Sequence, residues 1–351
     1  MGSSAVYQLS RRGLRVLGLE AFEPGHRLGS FHGESRVIRM AYYEHPSYVP
    51  LLRRAYELWT SLETESGDEL LRITGGLMIG ARESELVTGS RASVEMHGLA
   101  HEMLSADEVR YRYPALQPAD EEVALWEPQA GYLRPERCLD AFVRLAQAET
   151  HYREPVRRWS DHQVETDAGH YLADTVVFTC GARHSRLLGH STPPVTPERI
   201  PLFWLQPSAP ELFEHLPVYL WETDGPDFFY GFPHVEWPGV KVARHHSRDV
   251  CDPDTVDRST NAHDEALLRG LIERRVPALN GPVVSSLVCM YEDSPDEHFI
   301  IDRVDDNALY AAGFSGHGFK FASVIGEILA DLVTTGRATP DADFLKADRF
   351  R

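Results

Sequence analysis

Two arginines three residues apart, Arg36 and Arg39, sit in the extended-looking stretch Ser35–Met40. A guanidinium fork grips a carboxylate through parallel hydrogen bonds, so such a pair either holds an anionic group or lies solvated on the surface. Far downstream Lys320 follows the glycines Gly313, Gly316 and Gly318 in AAGFSGHGFKF. Glycines so spaced let the backbone approach an electron-rich group, and the first turn of a following helix would aim unpaired N–H groups at it. The same spacing also serves merely to lead a chain from a strand into a helix. Lys241, in GVKV, alternates with apolar neighbours and so belongs to one face of a strand. Cys289, in VCMY, reads by itself as a small buried hydrophobe.

These residues need elements to position them. The apolar run Ala308–Ala312, bounded by turn residues, predicts a buried strand. Phe321, Val324, Ile325, Ile328, Leu329 and Leu332 recur three and four apart, predicting a helix that begins near Gly318 and stops at Gly336. At the other end Ala5, Val6 and Leu9 share a helical face over Ser3–Arg12, and Leu14–Leu19 predicts a short strand closing on Glu20. Helix, strand and terminal acid are later parts of a dinucleotide-binding βαβ unit, where the acid binds ribose hydroxyls, although the same order is common without a nucleotide. Gly2 stands where the last glycine of that unit's fingerprint would be.

Tyr48, Leu51, Leu52, Ala55, Leu58, Trp59 and Leu62 predict an amphipathic core helix with Pro50 in its first turn. Short β runs around Gly75-Gly76 mark a crossing into a second domain. A helix is expected over Arg137–Gln147 and a strand over Asp174–Cys180, ending at Gly181. Between Pro197 and Cys289 strands dominate: Ile200–Leu205, Val218–Trp221, Phe228–Phe232, Val240–Arg244 and Val283–Val288, with a helix at Asp264–Arg274. Runs of strands joined by turns predict an antiparallel sheet.

The 351 residues carry a formal net charge of -18, which argues against nucleic acid or an anionic membrane surface as partner. No apolar stretch approaches the ~20 residues that span a bilayer, and no secretory signal is visible. Cys138, Cys180, Cys251 and Cys289 are widely scattered, which fits a cytoplasmic protein better than a disulfide framework or a zinc site. The histidines, His245-His246 included, show no metal-binding pattern, and no metal is expected.

VCMY, DEHFIID and AAGFSGHGFKF together resemble the C-terminal part of the monomeric sarcosine oxidase and N-methyltryptophan oxidase family, flavoenzymes of the D-amino-acid oxidase superfamily. The resemblance extends over almost the whole chain. It implies an α/β fold: a Rossmann-like FAD-binding domain, with its N-terminal strand missing, and an α+β substrate domain built on an antiparallel sheet. The implied segments are 1–70, 134–193 and 288–351 for the first domain, and 71–133 and 194–287 for the second. Gly131 to Pro135 resembles the family's return point to the cofactor domain.

The implied cofactor is FAD, carried covalently by Cys289. Gly33, Glu34, Ser35, Arg36 and Arg39 match a family phrase in which the first arginine lies near the ring and the second holds the substrate carboxylate. His32 matches too, whereas Phe31 replaces the histidine before it. Lys320 would pair with Arg39 across the carboxylate. Lys241 would sit over the flavin through a water and assist oxygen reduction, with His245, Tyr230 and Tyr291 lining the pocket. Gly181 would approach the adenine half; Gly2, Glu20, Gly313, Gly316 and Gly318 complete the implied cofactor cradle. Trp221 falls where the family pocket has a slimmer apolar residue, predicting a substrate other than glycine-sized sarcosine.

The implied reaction is oxidation of a secondary amino acid by O2 in a monomer, giving free amino acid, formaldehyde and H2O2 from an N-methyl substrate. The alternatives are oxidation of a cyclic imino acid such as pipecolate or proline, and a flavin-free remnant that only binds a ligand or partner. Gly2 as the third glycine of the fingerprint also implies a reading frame extending upstream by ~10 to 15 residues. The expectation is that the 351-residue form alone binds FAD poorly or folds badly.

Overall fold

Alternating apolar residues in the second half of the chain build most of an eight-stranded sheet in the computed structural model, which describes residues 1–189, 193–225 and 227–350. Positions 190–192, inside the expected segment 134–193, lie outside the described residues. The strands run in the order Val283–Asp293, Thr196–Leu205, Val240–His245, Phe228–Gly231, Val218–Glu222, Gly76–Ala81, Glu122–Glu127 and Glu102–Ser105. Because side chains alternate across a strand, the sheet has two unlike faces. One face buries Leu77, Ile79, Phe203, Leu205, Tyr219, Trp221, Phe229, Val240 and Val242 against Leu268 and Ile272 of the helix Ala262–Ile272. The other gathers Ile200, Leu202, Trp204, Ala243, Cys289 and Tyr291, with Tyr230 packed beside them.

A second core joins the helices Gly2–Arg11, Val49–Ser66, Pro135–Leu145 and Ala322–Thr334. The first and last of these approach so closely that a Cβ on Gly326 would collide with Ser4. Pro50 lies in the first turn of Val49–Ser66, and Gly67 closes that helix in the left-handed region, at φ 76°. Two parallel strand pairs border this core. Leu17–Leu19 pairs with Glu149–His151, and Val176–Phe178 with Ala308–Ala312. They form separate ladders, and a cavity of about 2160 Å³ is lined by both, through Leu17, Leu19, Val176 and Phe178.

The structure corrects several expected elements. The large sheet is not wholly antiparallel, since Val218–Trp221 runs parallel to Gly76–Ile79; a long crossover rather than a hairpin joins those strands. The final helix does not begin at Gly318: a 3₁₀ turn, Phe319–Phe321, comes first, and the α-helix starts at Ala322. The strand expected from Leu14 is only Leu17–Leu19. The segment 71–133 holds two helices as well as strands, Glu85–His97 and Ala106–Arg112. The second begins with a reciprocal capping box between Ser105 and Glu108.

Candidate active site

The strand Arg36–Ile38, paired with Gly131–Leu133, carries Arg36 at its start and delivers Arg39 just beyond its end. Arg39 is 2% exposed. Its Nη1 donates to the Ala41 carbonyl at 2.7 Å, and its Nη2 donates to both carboxylate oxygens of Glu44 at 2.8 Å. The guanidinium also lies over the rings of Tyr42 and Tyr43, at 4.6 and 4.8 Å from their centroids. Lys320, 5% exposed, donates from Nζ to the His317 carbonyl at 2.7 Å. Burial, aided by Arg39, pushes its ammonium down to about 7. Burial opposes the charge on Glu44, yet Arg39, His317 and Lys320 together hold its carboxyl below the usual range.

Arg39, Lys320 and Glu44 line a small cavity of about 60 Å³, with Tyr43, Leu220, Phe228, Tyr230, His245, Cys289, Tyr291 and Phe319 among its walls. Arg36, Tyr291, Gly316 and Phe319 line both this cavity and the large one, so the two adjoin there. At the boundary Arg36 Nη2 donates to the carbonyls of Ser30, at 3.0 Å, and of His32, and lies 3.4 Å from Cys289 Sγ. Tyr291 Oη is 3.1 Å from His245 Nδ1. Burial, then the charge of His246, pushes the His245 pKa well below its ordinary range.

Lys241 lies on the same sheet face but outside the small cavity's lining. Its Nζ donates to the carbonyls of Gly33 at 2.6 Å and Ser35 at 2.8 Å, beneath the turn that carries Arg36. Gly33 adopts φ 112°, and a Cβ there would sit 2.9 Å from Leu202 and 3.5 Å from Lys241 Nζ, so the turn closes tightly on the lysine. Glu136 holds the turn from another side, accepting from Gly33 N at 2.7 Å and Glu34 N at 3.2 Å. Burial and the nearby Arg36 charge push the Lys241 ammonium well below its usual value. His32, 1% exposed, contacts the Val288 carbonyl through Nε2 at 3.2 Å, while its Nδ1 is buried with no partner.

Part of the expected cofactor cradle, Arg36 included, lines the large cavity, whereas His32, Gly33, Ser35, Cys289 and Lys320 do not. Gly2, Glu20, Gly181, Gly316 and Gly318 line it; Gly313 does not. Gly313, at φ 64°, makes the turn out of its strand against Ile300 and Ser294. Gly316, at φ 74°, has no room for a Cβ beside the Tyr291 ring. The N-terminus of the helix Gly2–Arg11 opens on this cavity with its unpaired N–H groups. Glu20 follows directly after the strand Leu17–Leu19 and binds the backbone N–H of Phe22 at 2.9 Å. A helix N-terminus and a strand-end acid on this cavity would suit a dinucleotide, whereas His32, with its orphaned Nδ1, lines neither cavity.

Trp221 is not in the pocket. It is fully buried on the opposite sheet face, stacked on Phe229 at 5.5 Å, with its indole N–H donating to Glu122 at 2.8 Å. Strand alternation places Leu220 in the cavity instead. Sequence reasoning also missed Glu44, Tyr43, Phe228, His317 and Phe319 as lining residues. Only the acid five residues past Arg39 carried a signal, as a possible ion-pair partner. Behind His245, the side chains of Glu198, His246 and Asp293 offer ligand atoms within 4.8 Å of one another, a grouping the sequence did not reveal. His246 Nδ1 already lies 3.0 Å from Glu198. Burial opposes the charge on His246, but Glu198 and Asp293 outweigh it and raise its pKa, while burial and Glu198 push the Asp293 carboxyl up to about 8.

A family model described as FAD dependent oxidoreductase matches residues 1–332. The chain is 43% identical over 351 residues to a monomeric sarcosine oxidase of Streptomyces avermitilis, covering 96% of this chain and 91% of that one. It is 32% identical over 363 residues to an N-methyl-L-tryptophan oxidase of Yersinia pestis, covering 100% and 97%. Among solved structures, L-proline dehydrogenase from P. horikoshii superposes with a TM-score of 0.84 at 22% identity, over 99% of this chain and 94% of that one. NikD, an unusual amino acid oxidase of nikkomycin biosynthesis, superposes with a TM-score of 0.83 at 22% identity, over 98% and 94%.

Proposed function

We infer the activity from one premise: the chain belongs to the family of FAD-dependent oxidoreductases. It is an amine oxidase acting on N-methyl amino acids, converting them with O2 and water to the free amino acid, formaldehyde and H2O2. The observation that carries this reading is the pair of buried cations, Arg39 and Lys320, in a cavity that adjoins the larger one at Arg36 and Gly316. A buried cation pair suits a carboxylate, and Arg39 already donates through Nη2 to one, that of Glu44.

Bound FAD supplies the redox step, accepting a hydride equivalent from the carbon attached to nitrogen and passing the electrons to O2. The residues around it position and exclude. Arg39 and Lys320 hold the substrate carboxylate; His245 and the Tyr230 and Tyr291 phenols border the amine; Lys241 assists oxygen reduction. Gly2, Glu20, Gly181, Gly316 and Gly318 cradle the dinucleotide, with His32, Gly33, Ser35 and Arg36 near its ring. The cofactor-binding unit comprises 1–70, 134–193 and 288–351, and 71–133 with 194–287 forms the substrate unit. The enzyme acts as a cytoplasmic monomer, in keeping with four unpaired cysteines. Among the described residues no helix is long and apolar enough to cross a membrane.

Cys289 is the covalent ligand of the flavin. Its sulfur is buried in the lining of the small cavity, 3.4 Å from Arg36 Nη2, and Arg36 also lines the large one. Acid-precipitated protein is therefore expected to stay yellow, and Cys289→Ser to release its colour into the supernatant. Flavin washing out of the unmutated protein would remove Cys289 from this role. The reaction itself is tested by assaying formaldehyde and H2O2 over N-methyl and cyclic amino acids. Equal amounts of both products from an N-methyl amino acid are expected; peroxide from cyclic imino acids alone would favour a pipecolate- or proline-type oxidase.

A further inference from the structure

The rings of Tyr43 and Phe228 stack on each other, centroids 5.9 Å apart and planes 15° from parallel, and both line the small cavity beside Arg39. That cavity is about 60 Å³, well below the ~300–1,000 Å³ of pockets that take drug-sized ligands. We propose that Tyr43 and Phe228 together set the size of the accepted substrate, admitting N-methyl amino acids with little or no side chain and excluding bulky ones. This rests on the reading of the site given above and reverses the expectation drawn from Trp221, which faces the opposite core.

A stacked pair discriminates only if its backbone cannot yield, and the segment bearing Tyr43 is pinned on several sides. Met40 N and Ala41 N donate to the two carboxylate oxygens of Glu127, each at 2.8 Å. From the helix Glu85–His97, Ser90 Oγ donates to the Ala41 carbonyl at 3.4 Å and Ser93 Oγ to the Tyr42 carbonyl at 2.5 Å. The same helix face presents Gly89, where a Cβ would come within 2.5 Å of the Tyr43 carbonyl oxygen. Arg39 packs over the Tyr43 ring at 4.8 Å, so the cation that anchors the carboxylate also buttresses the wall. Phe228 is fixed by its strand, in register with Glu222 on one side and His245 on the other.

Burial raises the Tyr43 phenol well above its usual value, and Glu44, Glu297 and Glu85 add to the rise. The wall is thus apolar with acids around it, and a bulky probe should carry a neutral side chain to test size alone. The experiment compares kcat/KM for sarcosine and N-methyl-L-phenylalanine in the native enzyme, Tyr43→Ala and Phe228→Leu. In parallel, calorimetry compares acetate and 3-phenylpropionate binding to the same flavin-loaded proteins. The native enzyme is expected to favour sarcosine by about 100-fold or more, and each variant to shift that ratio at least about tenfold toward the bulky substrate. The ratio of the two carboxylate affinities should move in the same direction. Equal native use of both amino acids, or ratios unmoved in both variants, would overturn the proposal. If no N-methyl amino acid is oxidised by the flavin-loaded native protein, the assigned reaction fails. The calorimetric ratio then still decides whether the pair sets size.

Discussion

Arg39→Ala is expected to raise the amino acid concentration needed for half-maximal flavin reduction by about 10- to 150-fold, the equivalent of 1.5–3 kcal/mol for a lost charge-assisted contact. The structure adds a second consequence. Glu44 stands 2.8 Å from Arg39 in a site where both are largely buried, and removing one partner of such a pair costs about 3–5 kcal/mol. The variant should therefore also melt at lower temperature, and Arg39→Lys should recover part of the stability but little of the bidentate grip. Lys320 gives the same site a pH signature. Its folded pKa of about 7 lies below the ordinary lysine value, so its cation is present below pH 7 and lost above it. Affinity for a small carboxylate without an amine should fall as pH rises through 7, and Lys320→Met should flatten that profile. An Arg39→Ala enzyme with unchanged half-saturation would remove Arg39 from the substrate.

Lys241→Met is expected to slow oxygen consumption by the reduced enzyme about 100-fold or more, the scale for removing one preorganised group at a site of developing negative charge. Anaerobic reduction by substrate should change by less than about tenfold. Because Lys241 also donates to the carbonyls of Gly33 and Ser35, which keep Ser35 N and Arg36 Nη1 as donors, methionine removes two hydrogen bonds worth about 0.5–1.5 kcal/mol each. Stopped-flow measurement of the two half-reactions separates these effects. Loss of both half-reactions alike would mean that Lys241 serves to hold the Gly33–Ser35 turn and, through it, Arg36.

Much of this site could be read from sequence because it is written in local patterns. The glycine-spaced loop, the strand before it and the alternation around Lys241 depend on neighbours within a few residues, and the strand Ala308–Ala312 has the expected bounds. Partners set by irregular backbone or by long-range contact were less legible. Glu44 lies in YYEHP, a run without periodicity, and becomes an ion-pair partner only because the backbone turns back on Arg39. The helix Glu85–His97 escaped notice because it meets the pocket loop through Gly89, Ser90 and Ser93, residues that leave no apolar stripe. Trp221 shows the reverse error: a one-residue shift in alignment moves a side chain to the other face of a strand, and Leu220 holds the position assigned to it.

The assigned activity requires that this protein's flavin be reduced by an N-methyl amino acid. The direct measurement is the visible absorption spectrum of the purified protein during anaerobic titration with sarcosine. A yellow protein whose flavin bands bleach on addition of substrate and return on admission of air is the predicted result. A colourless protein, or flavin bands that no N-methyl amino acid bleaches, would contradict it.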